Sequence, residues 1–169
     1  MLLMLILRFI HIVLGVLWVG SVFAMTIVLA PGMKELGLPL DPVIRTLTHK
    51  KFPQMMMAFG GLTVLAGLTM MWYLSRGHEA DYFASPMGRT LSLGGLCGIL
   101  ALVIGGSVQR PAMEKAGKIQ ADLKNNPPKG DDPRVADLAR LQNRVVTAGQ
   151  LVFGLMFLAV TCMAVARYI

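Results

Sequence analysis

The sequence predicts an all-α integral membrane four-helix bundle, with a cytoplasmic helical hairpin extending spans three and four. Three observations lead there. The chain of 169 residues is 55% hydrophobic and only 15% charged, against roughly 25% charged residues in a soluble domain. The charges are segregated: Phe9 to Met33, Phe52 to Ser75, Thr90 to Gln109 and Val145 to Ala166 contain no Asp, Glu, Lys or Arg. Each stretch holds about 20 residues or more, enough to cross a hydrocarbon core of ~30 Å as helix. In lipid each backbone group must be satisfied internally, which selects helices over open strands. The expectation is one four-span transmembrane domain over 1–169, with spans near 5–30, 53–75, 88–110 and 144–167.

The elements follow in order. The first apolar run is longer than a secretory signal, its start "MLLMLIL" is uncharged, and Pro31-Gly32-Met33-Lys34 reads as a helix stop. It is therefore read as a retained span. Asp41-Pro42 has the form of an N-cap followed by a first-turn proline, which predicts a short interfacial helix from there to Lys51. Pro53 breaks or kinks the chain at the start of span two. "NNPPKGDDP", Asn125 to Pro133, is the clearest turn, and Asp132-Pro133 repeats the cap-and-proline pattern. The flanking segments "QRPAMEKAGKIQADLK" and "RVADLARLQNR" have helical spacing and mixed charge. They predict the antiparallel hairpin beyond the membrane.

The net charge of +7 does not indicate nucleic acid. Twelve of the sixteen Lys and Arg fall in two segments, 31–51 and 110–144, and the other side holds only Arg8, Arg76, Arg89 and Arg167. Excess Lys and Arg marks the cytoplasmic side. Both termini are therefore expected outside a cell inner membrane, in the periplasm, with loops 31–51 and 110–144 cytoplasmic. The lipid bilayer is the first partner, and anionic headgroups suit the basic loops. Trp72, Tyr73, Tyr82 and Tyr168 fall near the external interface, where aromatic belts lie.

Gly94, Gly98, Ala101 and Gly105 in span three are spaced i, i+4, i+7, i+11, and Thr63 and Gly67 offer small residues in span two. Such stripes let backbones approach closely. The span-three stripe suits packing within the bundle, or a seam with a second copy or a larger membrane complex.

His11 is the candidate functional residue, because an ionisable group inside a span is costly unless paired. It lies about nine residues from the external end of span one, and Gly15 and Trp18 share its face at i+4 and i+7. Gly15 is expected to leave room for something flat or bulky. The same depth reaches Gly67, Cys97 and the Ala159–Cys162 region, so His11, Cys97 and Cys162 form the candidate metal set. Neutral imidazole ligates metals and haem iron, and sulfur ligands suit soft ions such as Cu(I). The competing reading is a histidine that hydrogen-bonds a neighbouring helix. His49 stands beside lysines, and His78, with Glu79 and Asp81, is in a solvated loop. Most of the thirteen methionines read as flexible apolar filler. No span carries a carboxylate, and there is no G-x-S-x-G, phosphate-binding glycine loop, H-E-x-x-H or CxxC.

Several stretches resemble the copper-resistance protein D (CopD) superfamily. "IHIVLGVLWVGSVFAMTIVLAPGM" is similar to its first span, with His, Trp-x-Gly and a terminal Ala-Pro. "KKFPQMMMAFGGLTVLAGLTMMW" is similar to the second, "GRTLSLGGL" and "SVQRPAM" to the borders of the third, and "LARLQNRVVTAGQLVFGLMFLAV" to the fourth. The same core resembles the HemJ-type protoporphyrinogen oxidases, in which a first-span histidine matching His11 is associated with haem b. Where the pattern leads to a lysine in span three, this chain has Gly94, with Arg89 at the external end. The resemblance implies a small haem-binding protein or redox accessory subunit with His11 as axial ligand. Gly15, Trp18 and Arg89 would stand around the haem, with the opposite position either taken by a methionine such as Met70 or Met71 or left open. It implies as alternatives a copper-handling transport protein or a non-catalytic subunit of a larger complex.

Overall fold

The structure, a computed structural model, describes residues 1–37, 43, 46, 50–128 and 130–169. The described residues form helices and turns and no strand. Among them four helices are long and apolar enough to cross a membrane: Leu2–Met33, Phe52–Ser75, Pro86–Asn125 and Pro133–Tyr168. The interfacial helix expected between Asp41 and Lys51 falls mostly outside the described residues, as does His49.

The first long helix begins as α1 (Leu2–Phe23), widens into a π-helical turn over Ala24–Leu29 and continues as α2 (Ala30–Glu35). The stop expected at Pro31 does not occur. Proline lacks an N–H, and its ring collides with the carbonyl four residues back. Here the turn just before it has opened, and the Ala30 N–H bonds five residues back to Met25 O. The third long helix repeats the device. After α3 (Phe52–Ser75) and the short α4 (Glu79–Ala84), α5 (Pro86–Ile104) passes through a π turn at Gly105–Gln109 into α6 (Arg110–Asn125). The Arg110 N–H reaches back to Gly105 O, and Pro111 follows. Each π turn thus precedes an Xaa-Pro pair and lets the helix run on through it.

The last long helix is α7 (Pro133–Val165), ending in a 3-10 turn at Ala166–Tyr168. Its start is as the sequence suggests: the Asp132 side chain accepts from the Arg134 N–H at 2.9 Å, and Pro133 occupies the first turn. The Arg134 guanidinium also donates to Asp122 at 2.6 Å and to the Asn126 carbonyl at 3.2 Å, tying the end of α6 to the start of α7. The same guanidinium donates to the Asp132 carboxylate at 2.6 Å, and that bond, with the Arg134 N–H, holds the Asp132 carboxyl below the ordinary carboxylate range. The clasp is therefore present at neutral pH and is lost as pH falls through that lowered value.

α1 lies against α3, α5 against α7, α3 against α5, and α1 against α7. Where they meet, Trp18, Ala101, Val152 and Met156 form a buried cluster, flanked by half-buried Phe59, Leu102 and Leu155. The outward faces are apolar as well: Leu5, Phe9, Val16, Leu65, Leu96, Val103, Leu151 and Phe157 are exposed. Soluble proteins rarely show apolar surface this extensive, and lipid-facing helices do.

Trp18 is admitted by a missing side chain. A Cβ at Gly60 would stand 2.8 Å from the Trp18 ring and 2.9 Å from Leu102 Cδ1, whereas a Cβ at Gly61 meets nothing within 4 Å. Gly60→Ala is expected to destabilise the protein by the ~1–3 kcal/mol typical of overpacking, and Gly61→Ala to change it little. Thermal unfolding in detergent checks this; equal midpoints for the two variants would remove Gly60 from the packing of Trp18.

Candidate functional site

His11 sits on α1 facing α3, half-buried. Its Nδ1 lies 2.7 Å from the backbone carbonyl oxygen of Thr63. That carbonyl already serves as acceptor in the α3 ladder, and the side chain that would cover it belongs to the residue one turn on, at i+4. That residue is Gly67. A Cβ there would stand 2.8 Å from His11 Cε1 and 3.1 Å from Nδ1. The glycine opens the helix surface, and the imidazole fills the opening. Thr63 and Gly67 thus work as a pair, one supplying the acceptor and the other the space.

A carbonyl oxygen can only accept, so a ring carrying one proton carries it on Nδ1. Nε2 then presents a bare lone pair. It faces Met163 Sδ of α7 at 3.5 Å, and a thioether has no proton to give. Two lone-pair donors, one nitrogen and one sulfur, therefore converge across two helices without a proton between them. A spacing of 3.5 Å is ordinary contact for nitrogen and sulfur; one metal ion held by both would be bent at roughly 110°, the angle of a four-coordinate site, with two positions left for other donors. Donors on opposite sides of one centre, as in two-coordinate copper(I) or across a haem iron, would stand roughly 4.3 Å apart. The Thr63 hydroxyl, buried on the residue that orients His11, has no hydrogen-bond partner among the described residues.

The other sequence candidates distribute as follows. Trp18 is 6% exposed and belongs to the central cluster rather than to a wall beside His11. The room expected beside Gly15 is taken by Thr63, whose Cγ2 would be 3.4 Å from a Cβ there. Met71 turns toward α5, where its sulfur is 3.9 Å from Ser92 Oγ, and Met70 is half-buried. Arg89 is exposed at the start of α5, without an ion pair among the described residues. Cys97 and Cys162 are both buried and free. Among the described residues no three His, Cys, Asp or Glu side chains gather to hold a metal ion. His11, Cys97 and Cys162 therefore do not form a three-residue cluster, and neither do His78, Glu79 and Asp81. The Gly77 N–H binds the Glu79 carboxylate at 3.0 Å and lowers its pKa.

The small-residue stripe of α5 divides. Ala101 is fully buried, and a Cβ at Gly94 would stand 3.1 Å from Cys162 Cβ and 3.2 Å from the Ala159 carbonyl. Gly98 and Gly105 have nothing within 4 Å. The packed arc is Gly94, Cys97 and Ala101, so Gly98 lies beside the contact rather than on it. Met163, next to Cys162, is the neighbour of His11 on which the sequence alone gives no signal.

No family profile, curated protein or solved structure matches this chain.

The nitrogen-15 spectrum of His11 should report the Nδ1–H tautomer in the wild type. Gly67→Ala, which drives a methyl into the ring's place, should abolish that single state. Gly98→Ala should leave it intact. A wild-type signal from the Nε2–H tautomer would contradict the lone-pair geometry.

Proposed function

We propose that the chain is a multi-pass inner-membrane protein whose four long helices form one bundle, and that it binds a soft metal ion, copper(I), between His11 and Met163. The observation that carries this is the 2.7 Å contact of His11 Nδ1 with Thr63 O, which leaves Nε2 as an unprotonated donor aimed at a thioether sulfur. A histidine that ligates metal usually donates its other N–H to a carbonyl or carboxylate, fixing tautomer and ring orientation. Nitrogen with thioether sulfur is a donor pair that suits Cu(I). The resemblance to the CopD superfamily agrees with this reading. Copper is then cargo or a one-electron centre, handled in an apolar layer that excludes competing water.

The second reading is haem b with His11 as axial ligand, in a redox accessory subunit. The oriented imidazole favours it equally, as does the resemblance to a superfamily with a haem-binding branch. It requires Met163, a side chain with three rotatable bonds, to swing aside.

The basic loops support a topology with both termini periplasmic and the α6–α7 hairpin in the cytoplasm. A reporter active only in the cytoplasm, fused after Ile169, should stay silent; full activity reverses the orientation.

The metal readings separate in one set of measurements on purified protein. Under the copper reading, wild type takes up one Cu(I) in competition with a cuprous chelator. His11→Ala and Met163→Leu each weaken it by more than the roughly 10–100-fold that loss of an outer-shell partner costs. Under the haem reading, wild type shows a Soret band that His11→Ala loses and Met163→Leu keeps. If wild type binds neither after replete expression, His11 is a hydrogen-bonding clamp between α1 and α3, and both readings fall.

A further inference from the structure

Far from His11, α6 and the first turns of α7 line an open groove of about 420 Å³, bordered by Lys115, Lys118, Ile119, Asp137, Arg140 and Leu141. Three cations against one carboxylate leave it positive. Lys115, Lys118 and Arg140 form no ion pair among the described residues, while Arg110 is paired with Glu114, and Arg134 with Asp122 and Asp132. The charged lining residues are exposed, and Ile119 and Leu141 are half-buried between them. The result is a cationic rim over an apolar floor.

Its depth is informative. Lys115 and Lys118 follow Gln109, the last residue of the uncharged stretch, by six and nine positions, or about 9 and 13 Å along a helix. Arg140 precedes Arg144, the charge bordering the last uncharged stretch, by four, or about 6 Å. Polar headgroups occupy roughly 5–7 Å beyond the hydrocarbon on each side, and long basic side chains reach back toward them. The groove therefore lies at the outer edge of the headgroup layer, with Arg140 level with it and Lys115 and Lys118 rooted beyond it and long enough to reach back. A free inorganic anion would satisfy the cations but leave Ile119 and Leu141 uncovered. A phospholipid presents anionic phosphate joined to glycerol ester and methylenes, which matches both parts.

We propose that this groove binds the headgroup of an anionic phospholipid from the leaflet beyond which the hairpin projects. The phosphate is recognised by Lys115, Lys118 and Arg140, the glycerol ester rests on Leu141, three residues from Arg144, and Ile119 lies against the outer end of the headgroup. The proposal rests on the four-span reading and is independent of any metal at His11. Basic pockets beside membrane helices recognise lipid phosphates in this way.

The test uses the intact chain in a neutral detergent, titrated with phosphatidylglycerol, phosphatidylcholine or inorganic phosphate. Native mass spectrometry counts retained lipid, and unfolding temperature reports stabilisation. Phosphatidylglycerol should be retained over phosphatidylcholine. Lys118→Gln with Arg140→Gln should weaken it roughly 25-fold, about fivefold for each cation near the surface. The charge-matched pair Lys124→Gln with Arg167→Gln should behave as wild type. Lys118→Arg with Arg140→Lys, which keeps both charges, should restore binding and thereby separate recognition from misfolding. Equal retention of the two lipids, equal loss in the control pair, no rescue by the charge-preserving pair, or displacement of phosphatidylglycerol by inorganic phosphate at similar concentration would each overturn the proposal.

Discussion

A helix backbone in apolar surroundings has nowhere to send its hydrogen bonds but along its own axis. The distinctive features of this chain are the places where that constraint is strained. Pro31 and Pro111 each remove a donor from a long helix, and in the preceding turn the helix widens to five-residue bonding rather than breaking. Thr63 shows the converse. Its carbonyl is already used in the α3 ladder and still accepts from His11 at 2.7 Å, because Gly67 leaves it uncovered. A histidine in an apolar span is tolerable only if such a partner exists, so the position of the histidine follows from a glycine on another helix.

The orientation of Met163 depends on the same packing. α7 approaches α5 closely because Gly94 carries no side chain, and Cys162 and the Ala159 carbonyl pack into the gap. Met163 is one residue beyond Cys162 and so faces a neighbouring direction, toward α1 and His11. Gly67 on α3 seats α1, and Gly94 on α5 seats α7, so that a nitrogen on α1 and a sulfur on α7 meet. Each glycine lies against the side chain it admits and acts by what it omits.

Much of this architecture is legible in the residues. Uncharged runs reveal four apolar helices because charge in hydrocarbon is expensive, and Asp132-Pro133 marks a helix start because its side chain can satisfy a free N–H. His11 stands out for the same reason of cost. What is hidden depends on distance between helices. Met163 looks like any apolar methionine until α7 is placed beside α1. Gly98 satisfies the spacing of a packing stripe as well as Gly94 does, yet Gly94, Cys97 and Ala101 are buried and Gly98 is not, since a helix contact is narrower than the arc that such spacing covers. Pro31 reads as a stop because an α-helix cannot hold it, and a π turn can. In hindsight, the Ala30-Pro31 and Arg110-Pro111 pairs inside otherwise helical runs are the visible trace of those turns.

The two π turns also set a contrast in continuity. Their wider rings interrupt the α-helical ladder of the first and third long helices at one level each. α7 has no such interruption: its 33 residues run unbroken, a length of about 50 Å. It carries Arg140 near one end and Met163 near the other. Across that unbroken length Arg140 and Met163 hold a fixed separation, with the packed core around Val152 and Met156 between them.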